Sequence, residues 1–281
     1  MTVAQTTSED AAPSGGRVLR TNLTRGAGLG LGVAVLWFSV LVLLPLAAVV
    51  AVALNGGWEG FVTTLTNPQT VAALKLTVGM ALLVALVNIV MGTLIAWVLV
   101  RERFPGSRLL EVVIDVPFAL PTIVAGLVLL ALYGPSSPVG IDVANTRSAV
   151  FLAFAFVTLP FVVRSVQPVL EQLDREAEQA AHSLGASAGT TFRRIVLPAL
   201  IPAIAAGGAL SFARGVSEYG SLVLLSGNLA LRTEVTSVRM LTYVENGNLA
   251  SASVVATILL AVALIVLVTI DLLQRWLVRR G

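Results

Sequence analysis

Apolar residues run through this chain in six blocks, at positions 29–54, 72–100, 116–133, 149–163, 199–225 and 250–270, separated by polar segments. Blocks near 20 residues match the length a helix needs to cross a bilayer's hydrocarbon core. A span in lipid must satisfy its own backbone hydrogen bonds, so the blocks predict helices and an all-α, polytopic membrane fold with six transmembrane helices. The second block is long enough to tilt or to project beyond the bilayer. Within the third, Asp115-Val-Pro-Phe-Ala-Leu-Pro-Thr122 sets Pro117 and Pro121 four residues apart. Each removes a backbone donor, so a helix bend is expected there. Residues 1–28 are rich in Thr, Ser, Ala and Gly and read as a disordered tail. The tail lacks the charged start of a cleaved signal peptide, and the 29–54 block is too long for a signal core. It reads as an uncleaved first span.

Composition strengthens this picture. Hydrophobic residues fill 57% of the 281 positions, charged residues only 12%, and the mean hydropathy is +0.92. A soluble domain carries about a quarter charged residues. The sequence pI of about 9.9 invites a nucleic-acid reading. The basic residues, however, are scattered over short loops and form no dense stripe. The chain has no cysteine, which removes thiolate metal sites and disulfides.

The positions of the basic residues predict orientation. Arg17, Arg20 and Arg25 precede the first block, and Arg101, Arg103 and Arg108 follow the second. Arg164, Arg175, Arg193 and Arg194 lie between the fourth and fifth, and Arg275, Arg279 and Arg280 close the chain. With six spans all of these share one side, and the other side holds only Lys75, Arg147, Arg232 and Arg239. The positive-inside bias therefore puts both termini and the 168–198 loop in the cytoplasm.

That loop is about thirty residues long, unusual for a connection without a partner. It contains Gln179-Ala-Ala-His-Ser-Leu-Gly185, with Ala180 and Ala181, and then Ile195-Val-Leu-Pro198. The residues 170–184 suit a helix, and Gly185 can take the left-handed conformation that ends one. Ser187 can cap a second short helix carrying Thr191 to Val196, which is expected to stop at Leu197 and Pro198. The product is a helix–kink–helix finger between spans four and five. The plainer reading is a solvated loop of ordinary helical propensity.

In the fifth block Ala203, Gly207, Ser211 and Gly215 recur every four residues, a small-residue stripe that lets helices approach closely. Beside it lie Arg214 and Glu218, neighbours on the helix surface. An arginine at mid-membrane costs about 2.5–3.5 kcal/mol on insertion scales, so it should face protein or a wet cavity. In one reading Arg214 and Glu218 neutralise each other and hold a gate. In the other, Arg214 draws a passing anion, while Ser211, Ser217, Ser221 and Asn228 offer neutral hydrogen bonds and Tyr219 sits among them. The structural pair is preferred, because a conducting path must avoid tight binding. Lys75, Asp115 and Arg164, near span ends, read as snorkelling anchors. Asn88 reads as an interhelical hydrogen bond and His182 as a polar contact or a solvated residue.

The spacing QAA-x3-G-x9-I-x-LP resembles the cytoplasmic "EAA" loop of ABC importer permeases, with Gln179 where that family usually has Glu. Further blocks resemble the T-type permeases of bacterial sulfate/thiosulfate ABC importers. They are Ala96-Trp-Val-Leu-Val-Arg-Glu-Arg-Phe-Pro-Gly106, the Pro117–Pro121 block, Leu159-Pro-Phe-Val-Val-Arg-Ser-Val-Gln-Pro-Val169, and Ser211-Phe-Ala-Arg-Gly-Val-Ser-Glu-Tyr-Gly-Ser221 leading to Ser226-Gly-Asn228. The resemblance implies the fold of a type I importer permease over residues 72–276. It also implies that the 179–198 loop docks on a separate ATPase, present in two copies and consuming Mg-ATP. A sister permease, an extracytoplasmic sulfate-binding protein and the bilayer would complete the set of partners. The location implied is the bacterial inner membrane, with this chain binding no cofactor and catalysing nothing itself. A molybdate or tungstate permease and a proton-coupled anion transporter using Glu218 are the alternatives. The chain has no G-x-x-x-x-G-K-[ST] phosphate loop and no H-E-x-x-H site, and its single histidine leaves no basis for a Ser–His enzyme.

Overall fold

The computed structural model describes residues 25–278, all of whose regular elements are helices. The expected tail at 1–28 lies outside the described residues up to position 24. Two units are distinguished, one ending at Ala47 and the other beginning at Ala48. The first contains α1 (Arg25–Phe38), a wide π-type turn (Ser39–Leu43) and the start of α2 (Leu44–Leu54). Its large apolar side chains from Leu29 to Leu46 are exposed, as befits a helix whose solvent is lipid.

The second unit continues with α3 (Gly57–Thr66), α4 (Pro68–Arg101), α5 (Ser107–Ala119), α6 (Thr122–Tyr133) and α7 (Arg147–Gln172). There follow α8 (Arg175–Ser183), α9 (Ala188–Thr191), a π-type turn (Phe192–Val196) and α10 (Leu197–Val216). Short α11 (Gly220–Leu225), α12 (Thr236–Glu245) and long α13 (Leu249–Val278) complete it. Among the described residues five helical stretches are long and apolar enough to cross a membrane, and α5 with α6 makes a sixth if the bent pair counts as one span.

α4, α7 and α10 form the centre. Gly92 of α4 comes so close to Val162 that an added Cβ would lie 2.8 Å from its Cβ, and one added to Gly207 of α10 would lie 2.9 Å from the Val162 Cα. Gly208 abuts Ile89, and Gly215 abuts Ala81 and Phe154. The small residues of the fifth block thus do what their spacing predicts, admitting two neighbours at backbone range. The core is divided in two. One apolar cluster gathers Ala81, Phe154, Phe212 and Leu222, and the other gathers Ala96, Val166, Val196 and Leu200. Between them Asn88 Nδ2 donates to Thr158 Oγ1 at 2.8 Å and to Ser211 Oγ at 3.2 Å, tying all three helices with buried polar atoms. A polar clamp buried in this way is stable because its members satisfy one another.

The third span, where Pro117 and Pro121 predict a bend, is broken outright. It is two helices whose axes differ by 119°, broken between Ala119 and Thr122. Pro117 is tolerated inside α5, whereas Pro121 stands immediately before α6 with ψ 135°, an extended conformation that no helix continues through. α4 and α7 run parallel, since Ala81 lies in one core cluster with Phe154 and Ala96 in the other with Val166. The chain must therefore return between them, and the bent α5–α6 pair carries it back. The fifth block is also broken, ending α10 at Val216 and restarting at Gly220.

Candidate coupling finger and gate

The finger is built from local rules. Asp174 Oδ1 accepts the Glu176 N–H at 2.8 Å and caps α8, whose first turn carries Glu176 and Glu178 against the positive helix end. At the far end Gly185 has φ +84°. Its N–H bonds His182 O at 2.9 Å and the Ala186 N–H bonds Ala181 O at 3.0 Å, the paired closure that a left-handed residue permits. Ser187 Oγ then accepts the Thr190 N–H at 3.3 Å and starts α9. His182 places a ring nitrogen 3.2 Å from Ala186 O, inside the kink.

α9 does not stop at Leu197 and Pro198 as expected. It passes through the π-type turn into α10, with the Leu197 N–H reaching back to Phe192 O. Pro198 has no N–H to give and would crowd a carbonyl four residues earlier, and a wide turn is one way a helix absorbs that. The finger is therefore continuous with a membrane helix. Its other anchor is an ion pair of Glu178 with Arg101 at the end of α4. The Arg101 guanidinium stands 5.4 Å from the Trp97 ring centre, and Trp97 meets Phe192 edge-on at 5.5 Å. Gln179 and Ala180 are exposed, Ala181, Ile195 and Leu197 half-buried, and Pro198 exposed. Leu184 is 89% exposed at the kink, a residue the spacing argument passed over.

The second cluster forms where α10 breaks. Glu218 has no exposed side-chain surface. Its Oε1 accepts both the Ser221 N–H and the Ser221 hydroxyl at 2.9 Å, and its backbone oxygen accepts the Ser237 hydroxyl at 2.7 Å. Oε2 lies 2.8 Å from Arg214 Nη1, an ionic contact without hydrogen-bond alignment. Tight packing surrounds this point. A Cβ on Gly220 would fall 2.8 Å from the Ile123 nitrogen, and one on Gly126 would fall 2.6 Å from Ser221 O. The break after Pro121 and the break at 217–219 thus meet face to face.

The remaining candidate path residues separate. Ser211 belongs to the buried Asn88 clamp, Ser217 is exposed with its hydroxyl on Arg214 O at 3.0 Å, and Tyr219 is partly exposed. Asn228 sits farther along, with φ +50° and its Nδ2 on Val223 O at 3.1 Å, so it shapes the loop after α11. Asp115 and Arg164, expected to anchor separately, form a two-pronged pair at 2.8 and 2.6 Å. Gln167 joins them, 2.8 Å from Arg164 Nη1. No sequence signal links partners 49 positions apart. Among the described residues no group of three or more His, Cys, Asp or Glu side chains could hold a metal ion.

The family described as "Binding-protein-dependent transport system inner membrane component" matches residues 88–280. The chain is 43% identical over 262 residues to the "Sulfate transport system permease protein CysT" of Salmonella typhimurium, covering 91% of this chain and 95% of that one. It is 44% identical over 251 residues to the protein of the same name from Synechocystis sp., covering 87% and 88%. Among solved structures, a chain of the bacterial alginate ABC transporter in complex with an alginate-bound periplasmic protein superposes with a TM-score of 0.74. The identity there is 16%, with 89% of this chain and 94% of that one covered, which speaks to the fold. With several apolar spans, the parallel α4–α7 core and this sequence match, the chain is a multi-pass membrane protein that belongs to the family of inner-membrane components of binding-protein-dependent transport systems.

Proposed function

We propose that this chain is one transmembrane subunit of an ATP-driven importer of sulfate or thiosulfate in a bacterial inner membrane. Its termini and the α8–α9 finger face the cytoplasm. The finger docks on an ATPase, present in two copies, that hydrolyses Mg-ATP. A sister permease and an extracytoplasmic sulfate-binding protein complete the machine, and this chain performs no catalysis. The identity to sulfate permeases supports the substrate, and the excess of arginine at the finger end supports the orientation. The observation that carries the coupling reading is the finger itself. It is capped at both ends, exposed over its outer surface, and fixed to α4 and α10. A push on Leu184 would therefore reach the bundle as a rigid displacement. Gln179 keeps the length and hydrogen-bonding capacity of a glutamate without its charge.

The test is co-purification from native membranes with ATP-driven sulfate uptake in vesicles. Uptake should require ATP and ignore a protonophore; dependence on a proton gradient would overturn the importer reading. Gly185→Val, which forces a branched side chain into a left-handed backbone, should strip the ATPase from the complex by tenfold or so while membrane insertion persists. Full ATPase recovery with that variant would remove the finger's role.

A further inference from the structure

Lys75, Arg147, Arg232 and Arg239 are the four basic residues that the loop pattern assigns to the end opposite the finger. The structure gathers them. Lys75, Arg147 and Arg232 line one cavity of about 470 Å³, with Leu76, Met80 and Glu234 in its wall. Arg239 stands behind that wall, 4.0 Å from Glu234 and stacked on the Tyr243 ring at 4.5 Å. Three of the four basic residues at this end thus line one hollow.

Among the described residues no carboxylate comes within ion-pair distance of Lys75, Arg147 or Arg232. Arg147 Nε donates to the Arg232 carbonyl at 3.3 Å, and among the described residues the rest of both guanidinium forks has no hydrogen-bond partner. Glu234, in the same wall, turns toward Arg239 instead, at 4.0 Å. It is buried, its Oε2 has no hydrogen-bond partner, and burial pushes its carboxyl above the usual range, with Arg239 opposing. The frame is rigid. The Thr233 hydroxyl donates to Ser226 O at 2.6 Å, Leu229 N donates to Thr233 Oγ1 at 3.0 Å, and Asn145 N donates to Leu225 O at 3.0 Å. Lys75, Arg147 and Arg232 are exposed, so their charged ends are open to an anion entering the hollow. Planar guanidinium forks and a flexible ammonium fit the several oxygens of a tetrahedral oxyanion.

We propose that the Lys75–Arg147–Arg232 cavity is a receiving site for a tetrahedral oxyanion at the extracytoplasmic mouth of this subunit. The identity of that anion as sulfate, and the outward direction, rest on the function proposed above. Binding there is weak, because a transport path must release what it holds.

Lys75 is the one lysine of the chain, so amine labelling followed by peptide mass spectrometry reads this cavity alone. The experiment uses the purified full complex in nanodiscs without binding protein, labelled in sodium sulfate, sodium molybdate or sodium chloride at matched ionic strength. Saturating sulfate should slow Lys75 modification by about fivefold or more relative to chloride, as mass action predicts for an occupied site. Arg232→Gln should abolish that protection and Arg232→Lys should restore it; Arg147→Gln serves as the second neutral variant. Equal labelling in sulfate and chloride, or protection untouched by Arg232→Gln and Arg147→Gln, would overturn the site. Protection that appears only when binding protein is added would also overturn it, and would assign the cations to acidic side chains of that protein. Oxyanion protection alongside failed sulfate uptake would leave the site standing and discard sulfate as the cargo.

Discussion

The finger at 173–198 and the break at 217–219 are made of similar materials, a carboxylate, serines and a glycine, yet are held in opposite ways. In the finger every capping contact is short-range: Asp174 to Glu176, Gly185 to His182, Ser187 to Thr190. In the break the carboxylate is sealed inside, and its surroundings come from α6 and α12 through Gly220, Gly126 and Ser237. Local bonds make an element that keeps its shape while projecting into water. Tertiary packing makes one whose shape exists only inside the bundle. The first suits a handle and the second a hinge point or seal between helices.

If that contrast holds, damage to the break should unfold the protein and damage to the finger should only disconnect it. The largest effect is expected for the Arg214–Glu218 pair. Glu218→Ala strips the Ser221 N–H of its acceptor and leaves Arg214 unpaired, a loss of about 3–5 kcal/mol by analogy with other broken buried pairs. Thermal unfolding of the purified protein in detergent measures it. Adding Arg214→Ala should then lose less than the sum of the single losses, with a coupling of about 1–3 kcal/mol. Additive losses would mean that the two charges act independently.

Next in size is Gly220→Ala. The new methyl would lie 2.8 Å from the Ile123 backbone nitrogen, which cannot swing aside, so about 1–3 kcal/mol should be lost. Gly189→Ala in the finger meets nothing within 4 Å and should be neutral in the same assay, giving the comparison its internal control. If the two variants unfold alike, the distinction between the regions fails.

The smallest effect on stability belongs to Leu184→Ser. This side chain is 89% exposed, so unfolding should shift by no more than about 0.5 kcal/mol. ATPase recovery with the complex should nevertheless fall severalfold, because an apolar tip offered to water is most valuable when a partner covers it. Unchanged recovery would move the grip elsewhere on the finger.

The ease of reading the sequence follows the same division. Gly185 and Ser187 were legible because caps act within a few residues, whereas the helix read over 170–184 is interrupted at 173–174, where Asp174 caps α8. The four-residue spacing of Gly207, Ser211 and Gly215 disclosed a contact face for the same reason, since helical periodicity fixes which residues share a side. The Glu178–Arg101 pair left no signal in the sequence because its partners lie 77 positions apart. Asp115 and Arg164 were read as separate anchors on the same ground. The fifth span looked continuous in hydropathy, which is blind to a turn that remains apolar, whereas in the third Pro117 and Pro121 announced the bend.

By itself the sequence determined the all-helical membrane character and the caps of the finger, because span length and capping chemistry are written in neighbouring residues, and the family through the resemblance of its motif blocks. Only the tertiary structure decided that two helix breaks meet at Gly126 and Gly220, and that Lys75, Arg147 and Arg232, distant in sequence, line one cavity. Those arrangements depend on which helices lie side by side, a property of packing that no single segment contains.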